Sequence, residues 1–123
     1  MLLTGAPGSG KSDMVLRLVD RGFMLVADDQ VDMADGWASA PLALAGLLEV
    51  RGLGLLKLEF GSAPVVLVVA LQRGDRLPLP CRYEILNVPM VSVDPSPASA
   101  PLLIERALDA VQGKGCFVTG AFG

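Results

Sequence analysis

The stretch Gly5-Ala6-Pro7-Gly8-Ser9-Gly10-Lys11-Ser12 decides how the rest of the chain is read. It has a glycine, four free positions, a second glycine, a lysine and a serine, the P-loop pattern, and each position has a mechanical reason. Glycines let successive backbone N–H groups turn inward around phosphate oxygens, and a helix beginning at Lys11 adds the partial positive charge of its N-terminus. Lys11 would reach the β- and γ-phosphates, and the Ser12 hydroxyl would ligate Mg²⁺. Before the loop, Leu2-Leu3-Thr4 reads as the end of a buried strand. After it, Met14, Val15, Leu18 and Val19 recur with helical period, Asp13, Arg17, Asp20 and Arg21 fall elsewhere, and Gly22 suits the position just past a helix end. Residues 23–27 are almost wholly apolar and predict a strand buried on both faces, which would complete a βαβ unit over the first 29 residues.

Beyond that unit the pattern turns toward β structure. Asp35-Gly36 between residues 31–33 and 37–39 predicts a hairpin, and a short helical patch is expected over 41–48. Leu56, Leu58 and Phe60 alternate with Lys57 and Glu59, as in a strand with one wet face. Residues 65–71 are continuously apolar and predict a central strand, residues 83–93 one or two short strands interrupted by Pro89. Residues 99–112 predict a helix with Leu102, Leu103, Ala107, Leu108 and Val111 facing inward. The fold class that follows is α/β, with a mixed, strand-rich central sheet.

Further residues carry chemical meaning. Asp28-Asp29 closes the predicted strand after the helix. In P-loop proteins an aspartate at the end of a neighbouring strand assists the metal, so Asp28 is read as a Mg²⁺ residue and Asp29 as the base that takes a proton from the nucleophile. The plain alternative is an Asx-type turn leaving a strand. In Glu49-Val50-Arg51-Gly52-Leu53-Gly54, Glu49 and Arg51 would share one face of an extended segment, and the glycines would allow close backbone approach; taken alone, a surface ion pair before a glycine turn is the plainer reading. Arg73, Arg76 and Arg82 lie in a proline-containing loop that could clamp a transferring phosphoryl group or could simply be solvated.

Composition narrows the function classes. At 123 residues the chain is expected to be one domain over 1–123. A net charge of −3 argues against a dedicated nucleic-acid binder. Apolar residues make up 52%, yet no unbroken apolar run approaches the ~18 residues of a membrane span, so a rich soluble core is expected. Cys81 and Cys116 show neither a disulfide framework nor metal spacing, and residues 1–4 run into the glycine loop with neither the charged start nor the apolar region of a signal peptide, so a cytoplasmic location is expected. With no histidine, proton transfer near neutral pH falls to carboxylates, cysteine, lysine or water. A P-loop strand of three residues at the chain start further predicts a domain N-terminally shortened relative to its relatives.

Together these residues resemble the catalytic domain of the HPr kinase/phosphorylase family, bacterial enzymes that phosphorylate a serine of the phosphocarrier protein HPr. The resemblance runs from the P-loop at 5–12 and Asp13 through Asp20-Arg21-Gly22 and Leu25-Val26-Ala27-Asp28-Asp29 to, above all, Glu49-Val50-Arg51-Gly52-Leu53-Gly54. It continues through Asp75-Arg76-Leu77 and Val88-Pro89 to the helix near 98–110. It implies a P-loop kinase fold of the HPr kinase and ATP-dependent carboxykinase type, with ATP phosphates held by residues 5–12 and by Lys11 in particular. It implies that Ser12 and Glu49, with Asp28, hold Mg²⁺, that Asp29 accepts the proton of the target serine, and that Arg51 and Arg76 support the transferring group. An HPr-type carrier is the implied partner, in the regulation of carbohydrate and phosphotransferase-system metabolism, with self-association left open. The family's strand pair with a functional histidine precedes the point where this chain begins, and its basic residues linked to dephosphorylation are replaced by Asp94-Pro95-Ser96-Pro97-Ala98-Ser99. Kinase activity is therefore expected ahead of the reverse phosphorolysis of phosphoserine. The rival readings are a nucleotide-binding sensor without phosphotransfer and a small-molecule P-loop kinase.

Overall fold

Val68 and Val69 have no solvent exposure, and around them the first sheet is built. A computed structural model describes residues 1–123. In chain order the elements are β1 (Leu2–Thr4), α1 (Lys11–Asp20), β2 (Asp32–Ala34), β3 (Trp37–Ser39), a single 3-10 turn (Leu42–Leu44) and β4 (Leu47–Val50). There follow β5 (Gly54–Lys57), β6 (Ala63–Pro64), β7 (Val68–Leu71), β8 (Arg82–Tyr83), β9 (Val88–Val93) and α2 (Ala100–Val111). They fall into two compact units, Met1–Ser9 with Val65–Gly123, and Gly10–Pro64.

The first unit holds a mixed sheet in the order β1-β7-β9-β8. β7 runs parallel to β1 (Leu2↔Val68 to Thr4↔Ala70) and to β9 (Val68↔Met90 to Leu71↔Val93), while β8 is antiparallel to β9. The expected central strand is therefore present, flanked on both sides as its unbroken apolar run requires. Pro89 does not interrupt β9: it pairs with Arg82 of β8 one residue before the parallel ladder with β7 begins at Met90, so its missing N–H leaves that ladder intact.

Helix α2 lies against β9 and corrects the predicted inward face. Its buried residues are Ala100, Pro101, Ile104 and Ala107, whereas Leu102 and Leu103 are 47% and 52% exposed. At 3.6 residues per turn, Leu108 and Val111 stand within about 40° of Ile104 around the helix, but Leu103 stands about 100° and Leu102 about 160° away. The single stripe centred on Ile104 fixes the face, and the two leucines are carried outside it.

In the second unit, α1 buries Met14 and Leu18 and stops where expected. Gly22, at φ +102°, donates its N–H to the carbonyl of Val19, and Phe23 donates to Leu18, which satisfies the last carbonyls of the helix in a Schellman arrangement. Strands β2 and β3 form the expected hairpin, with Asp35 and Gly36 both at positive φ, and β6 extends that sheet.

Three expectations for this unit are corrected. Residues 23–27 form no buried strand: only Leu25 bridges, in parallel, to Phe60, and Met24 is 63% exposed. The place beside β1 belongs to β7, so the βαβ reading of the first 29 residues loses its second strand. A short apolar run does not by itself separate a central strand from a lone bridge, and the β-branched run near Val68 won the pairing. Over 41–48 only one 3-10 turn forms, because Gly46 at φ +76° turns the chain into β4. Finally, the alternating stretch 56–60 does not bury one face: β5 ends at Lys57 and is exposed throughout as the outer half of the β4–β5 hairpin.

Candidate functional site

The phosphate loop begins directly after β1. A methyl group at Gly5 would lie 2.4 Å from Ser9 Oγ and 3.0 Å from Ser9 Cβ, so a side chain there would force Ser9 to move. Ser9 donates its N–H to the carbonyl of Ala6 at 3.0 Å, and Gly8 and Gly10 take φ of +80° and +92°, conformations that L side chains resist. Gly10 sits at the N-cap of α1, and no side-chain hydrogen bond caps the first turn of that helix. Ser9 Oγ is buried and has no hydrogen-bond partner. An orphaned buried hydroxyl inside a cradle of glycines suits phosphate oxygens better than it suits a purely structural turn.

Lys11 and Ser12 open α1. Ser12 Oγ donates to Asp28 Oδ1 at 2.8 Å, and Asp28 Oδ2 accepts the backbone N–H of Glu49 at 3.2 Å. One half-buried carboxylate thus ties the helix start to β4. That backbone link is absent from the sequence reading, which considered only the Glu49 side chain; no local signal announces it, because it joins residues 21 apart. Asp29, the next residue, is exposed and makes no hydrogen bond or ion pair, so its carboxylate is open to an incoming proton donor.

The segment 49–54 departs from expectation. Glu49 lies in β4, but the strand ends at Val50 and Arg51 stands in the hairpin turn, so the two do not share the face of one extended strand. Leu53 donates its N–H to the carbonyl of Val50 at 2.9 Å, closing the turn, and Gly52 and Gly54 have positive φ with open space around them. The glycines serve the turn's backbone conformation, and no other segment of the chain comes within 4 Å of where their side chains would stand. Arg51 is exposed at the tip.

The three arginines of the proline-containing loop, all in the first unit, are used differently. Arg73 Nε lies 3.5 Å from Asp94 Oδ2, and Arg82 donates through Nε to Asn87 Oδ1 at 3.1 Å and through Nη2 to the Asn87 carbonyl. Arg76 is exposed and has neither ion pair nor hydrogen bond. It is the arginine of this loop that is available to a ligand.

No group of three or more acidic or cysteine side chains is arranged to hold a metal ion unaided. Mg²⁺ in phosphate-transfer sites takes one or two carboxylates and completes its octahedron with water and phosphate oxygens, so a hydroxyl beside a carboxylate, as at Ser12 and Asp28, fits it.

Residues 1–72, more than half of the chain, match the family of the HPr Serine kinase C-terminal domain. The chain belongs to this family. The matched residues take in the phosphate loop, Asp28-Asp29 and the hairpin tip, and they end just past β7. The HPr kinase/phosphorylase of Clostridium novyi is 39% identical over 109 residues, which covers 73% of this chain and 36% of that protein. The HPr kinase/phosphorylase of Xanthomonas campestris pv. campestris is 44% identical over 102 residues, covering 71% and 32%. The solved Hpr(Ser) kinase/phosphatase from Coxiella burnetii superposes with a TM-score of 0.68 at 25% identity, over 89% of this chain and 81% of that one. The fold is accordingly the α/β, mixed-sheet kinase fold of the HPr kinase family. The chain spans about a third of the length of the curated relatives it matches. No helix is long and apolar enough to cross a membrane.

Proposed function

We propose that residues 1–123 act as a cytoplasmic protein-serine kinase domain that uses ATP and Mg²⁺ to phosphorylate a serine of an HPr-type phosphocarrier, as the names of the relatives suggest. The observation that carries this reading is the 2.8 Å bond between Ser12 Oγ and Asp28 Oδ1, set at the end of a glycine cradle and followed at once by the exposed Asp29. Residues 5–12 bind the triphosphate, with Lys11 on its β- and γ-oxygens. Ser12, Asp28 and Glu49 hold Mg²⁺, which when bound neutralises charge on the phosphates. Asp29 takes the proton of the serine hydroxyl as it attacks, and Arg51 and Arg76 steady the equatorial oxygens of the group in flight. With the acceptor supplying the nucleophile, the protein contributes position and charge rather than covalent chemistry.

The test is phosphotransfer from ATP to an HPr-type carrier in the presence of Mg²⁺, with phosphoserine read by mass spectrometry. Lys11→Ala is expected to abolish product, and Asp29→Asn to lower turnover by roughly 10²–10⁴-fold, the usual contribution of a general base, with the folded circular dichroism spectrum unchanged in both. Turnover at the unmutated rate in either variant would overturn the assigned roles. Nucleotide binding without product would favour a sensor, and a faster small-molecule acceptor would favour a metabolite kinase.

A further inference from the structure

The segment that leaves β7 is tied to β9 by hydrogen bonds at Gln72, carries an exposed ion pair at Arg73 and runs close beside β9 at Gly74. Gln72 donates its backbone N–H to the carbonyl of Val93 at 3.1 Å and its side-chain Nε2 to Ser92 Oγ at 3.2 Å. Arg73 pairs with Asp94 at 3.5 Å, and Asp94 is itself held because its Oδ1 accepts the N–H of Ser96 at 2.9 Å. At Gly74 a methyl group would lie 2.9 Å from Ser92 Cβ, an atom fixed to the backbone of β9 and unable to swing aside. Gly74 is not in the left-handed region, so glycine is required there by the closeness of β9 and not by the twist of the chain. Immediately afterwards the fastening ends, and Asp75 and Arg76 are exposed without hydrogen bonds or ion pairs.

This strap starts at the sheet edge where the phosphate loop also starts. β1 and β7 are parallel neighbours, and a methyl group at Gly5 would lie 3.6 Å from Leu71 Cβ. Ligands of open α/β sheets bind outside the carboxyl ends of such strands, so a side chain presented from a fixed strap at this edge is presented in a defined direction. We infer that Gly74 is a positioning residue for phosphate transfer: its missing side chain lets Gln72-Arg73-Gly74 lie flat against Ser92 and Asp94, and this fixes the point and direction from which the chain presents Arg76 two residues further on. The inference rests on the proposed role of Arg76 in transfer.

The experiment pairs a clash with its relief. Gly74→Ala is expected to lower kcat by about tenfold or more, the scale of a misplacement of about an ångström, while KM for ATP moves by less than about twofold. Independently of activity, trypsin should cut the Arg76–Leu77 bond several-fold faster in Gly74→Ala, because the strap no longer lies down. Adding Ser92→Gly to Gly74→Ala removes the atom that clashes and should return both kcat and the cleavage rate to those of Ser92→Gly alone. A Gly74→Ala variant that keeps wild-type kcat and cleavage, or a double variant that is not rescued, overturns the inference. Arg76→Ala separates the two layers: wild-type kcat there would refute the role given to Arg76 and leave the strap's cleavage rates standing, whereas a loss there with none in Gly74→Ala would refute the strap. No transfer by the unmutated protein would refute the kinase reading, and the cleavage rates alone would then decide whether Gly74 sets the strap.

Discussion

At the tip of the β4–β5 hairpin and at the end of the strap after β7, the chain presents an exposed arginine, Arg51 in one and Arg76 in the other. The hairpin tip is shaped from within: Gly52 and Gly54 adopt φ of +87° and +130°, Leu53 closes back on Val50, and a side chain at either glycine would meet nothing within 4 Å. The strap is shaped from outside: its glycine has an ordinary φ, and its course follows from what β9 and Asp94 offer beside it. The difference teaches that two loops of similar composition can be fixed by backbone conformation in one case and by tertiary fit in the other. Substitutions should therefore fail in them for different reasons.

The largest expected contrast lies at the strands on which the two loops are mounted. Leu71, 4% exposed at the end of β7, should lose about 2–5 kcal/mol of stability on replacement by alanine, because a cavity opens in a packed sheet. Leu55, 72% exposed in β5, should lose no more than about 0.5 kcal/mol. Urea unfolding of the two variants checks this, and comparable losses would mean that the hairpin carries packing that its exposure denies.

A smaller effect sharpens the contrast between the glycines. Gly52→Ala forces an L residue into the left-handed region and should cost about 1–2 kcal/mol, whereas Gly52→Asn, which tolerates that region, should cost less than half as much. At Gly74 asparagine should be no better than alanine, since both carry the Cβ that meets Ser92. Thermal melts of the four variants read the pattern directly. Asparagine rescuing position 74 but not position 52 would invert the assignment of causes.

What the sequence made legible divides along the same line. Features whose cause is local were readable: the glycine cradle before Lys11, the Asp35-Gly36 hairpin, the stop at Gly22, and the β-branched run that became β7. Features whose cause is a distant partner were not. Residues 23–27 had the apolarity of a central strand, but β7 took the place beside β1, and Leu102 and Leu103 had the hydropathy of a core face while Ile104 chose the angle at which α2 docks. At the site, the residue types at 5–12 and 28–29 were apparent, but the Asp28 carboxylate reaching the Glu49 amide and the strap laid over Ser92 depend on contacts some 20 residues apart. The hairpin tip is the exception: its cause is local, the positive φ of Gly52 and Gly54, yet Glu49 and Arg51 looked like neighbours on an extended segment because a Gly-Leu-Gly run suits a close backbone approach as well as a turn.

The smallest effect tests whether the outer tie of the strap is electrostatic. The backbone N–H of Ser96, then its hydroxyl, and Arg73 beside it hold the Asp94 carboxyl below its ordinary value near 3.8. A carboxylate whose folded pKa is depressed stabilises the fold fully above its unfolded pKa and loses that contribution as pH falls through the folded one. The difference in unfolding free energy between the protein and Asp94→Asn should therefore stay level from neutral pH to about 5 and then shrink as pH drops below the ordinary value. Because the Ser96 amide is the leading cause, Arg73→Ala should weaken this pH dependence without removing it, and added salt should act mainly on the part that Arg73 contributes. A difference that stays constant through the acid range would mean that Asp94 holds the strap through hydrogen bonds an amide supplies equally well. The strap would then be fixed by shape alone, the Gly74–Ser92 approach together with the Gln72 amide on Val93, and Arg73 would add nothing to the direction from which Arg76 is presented.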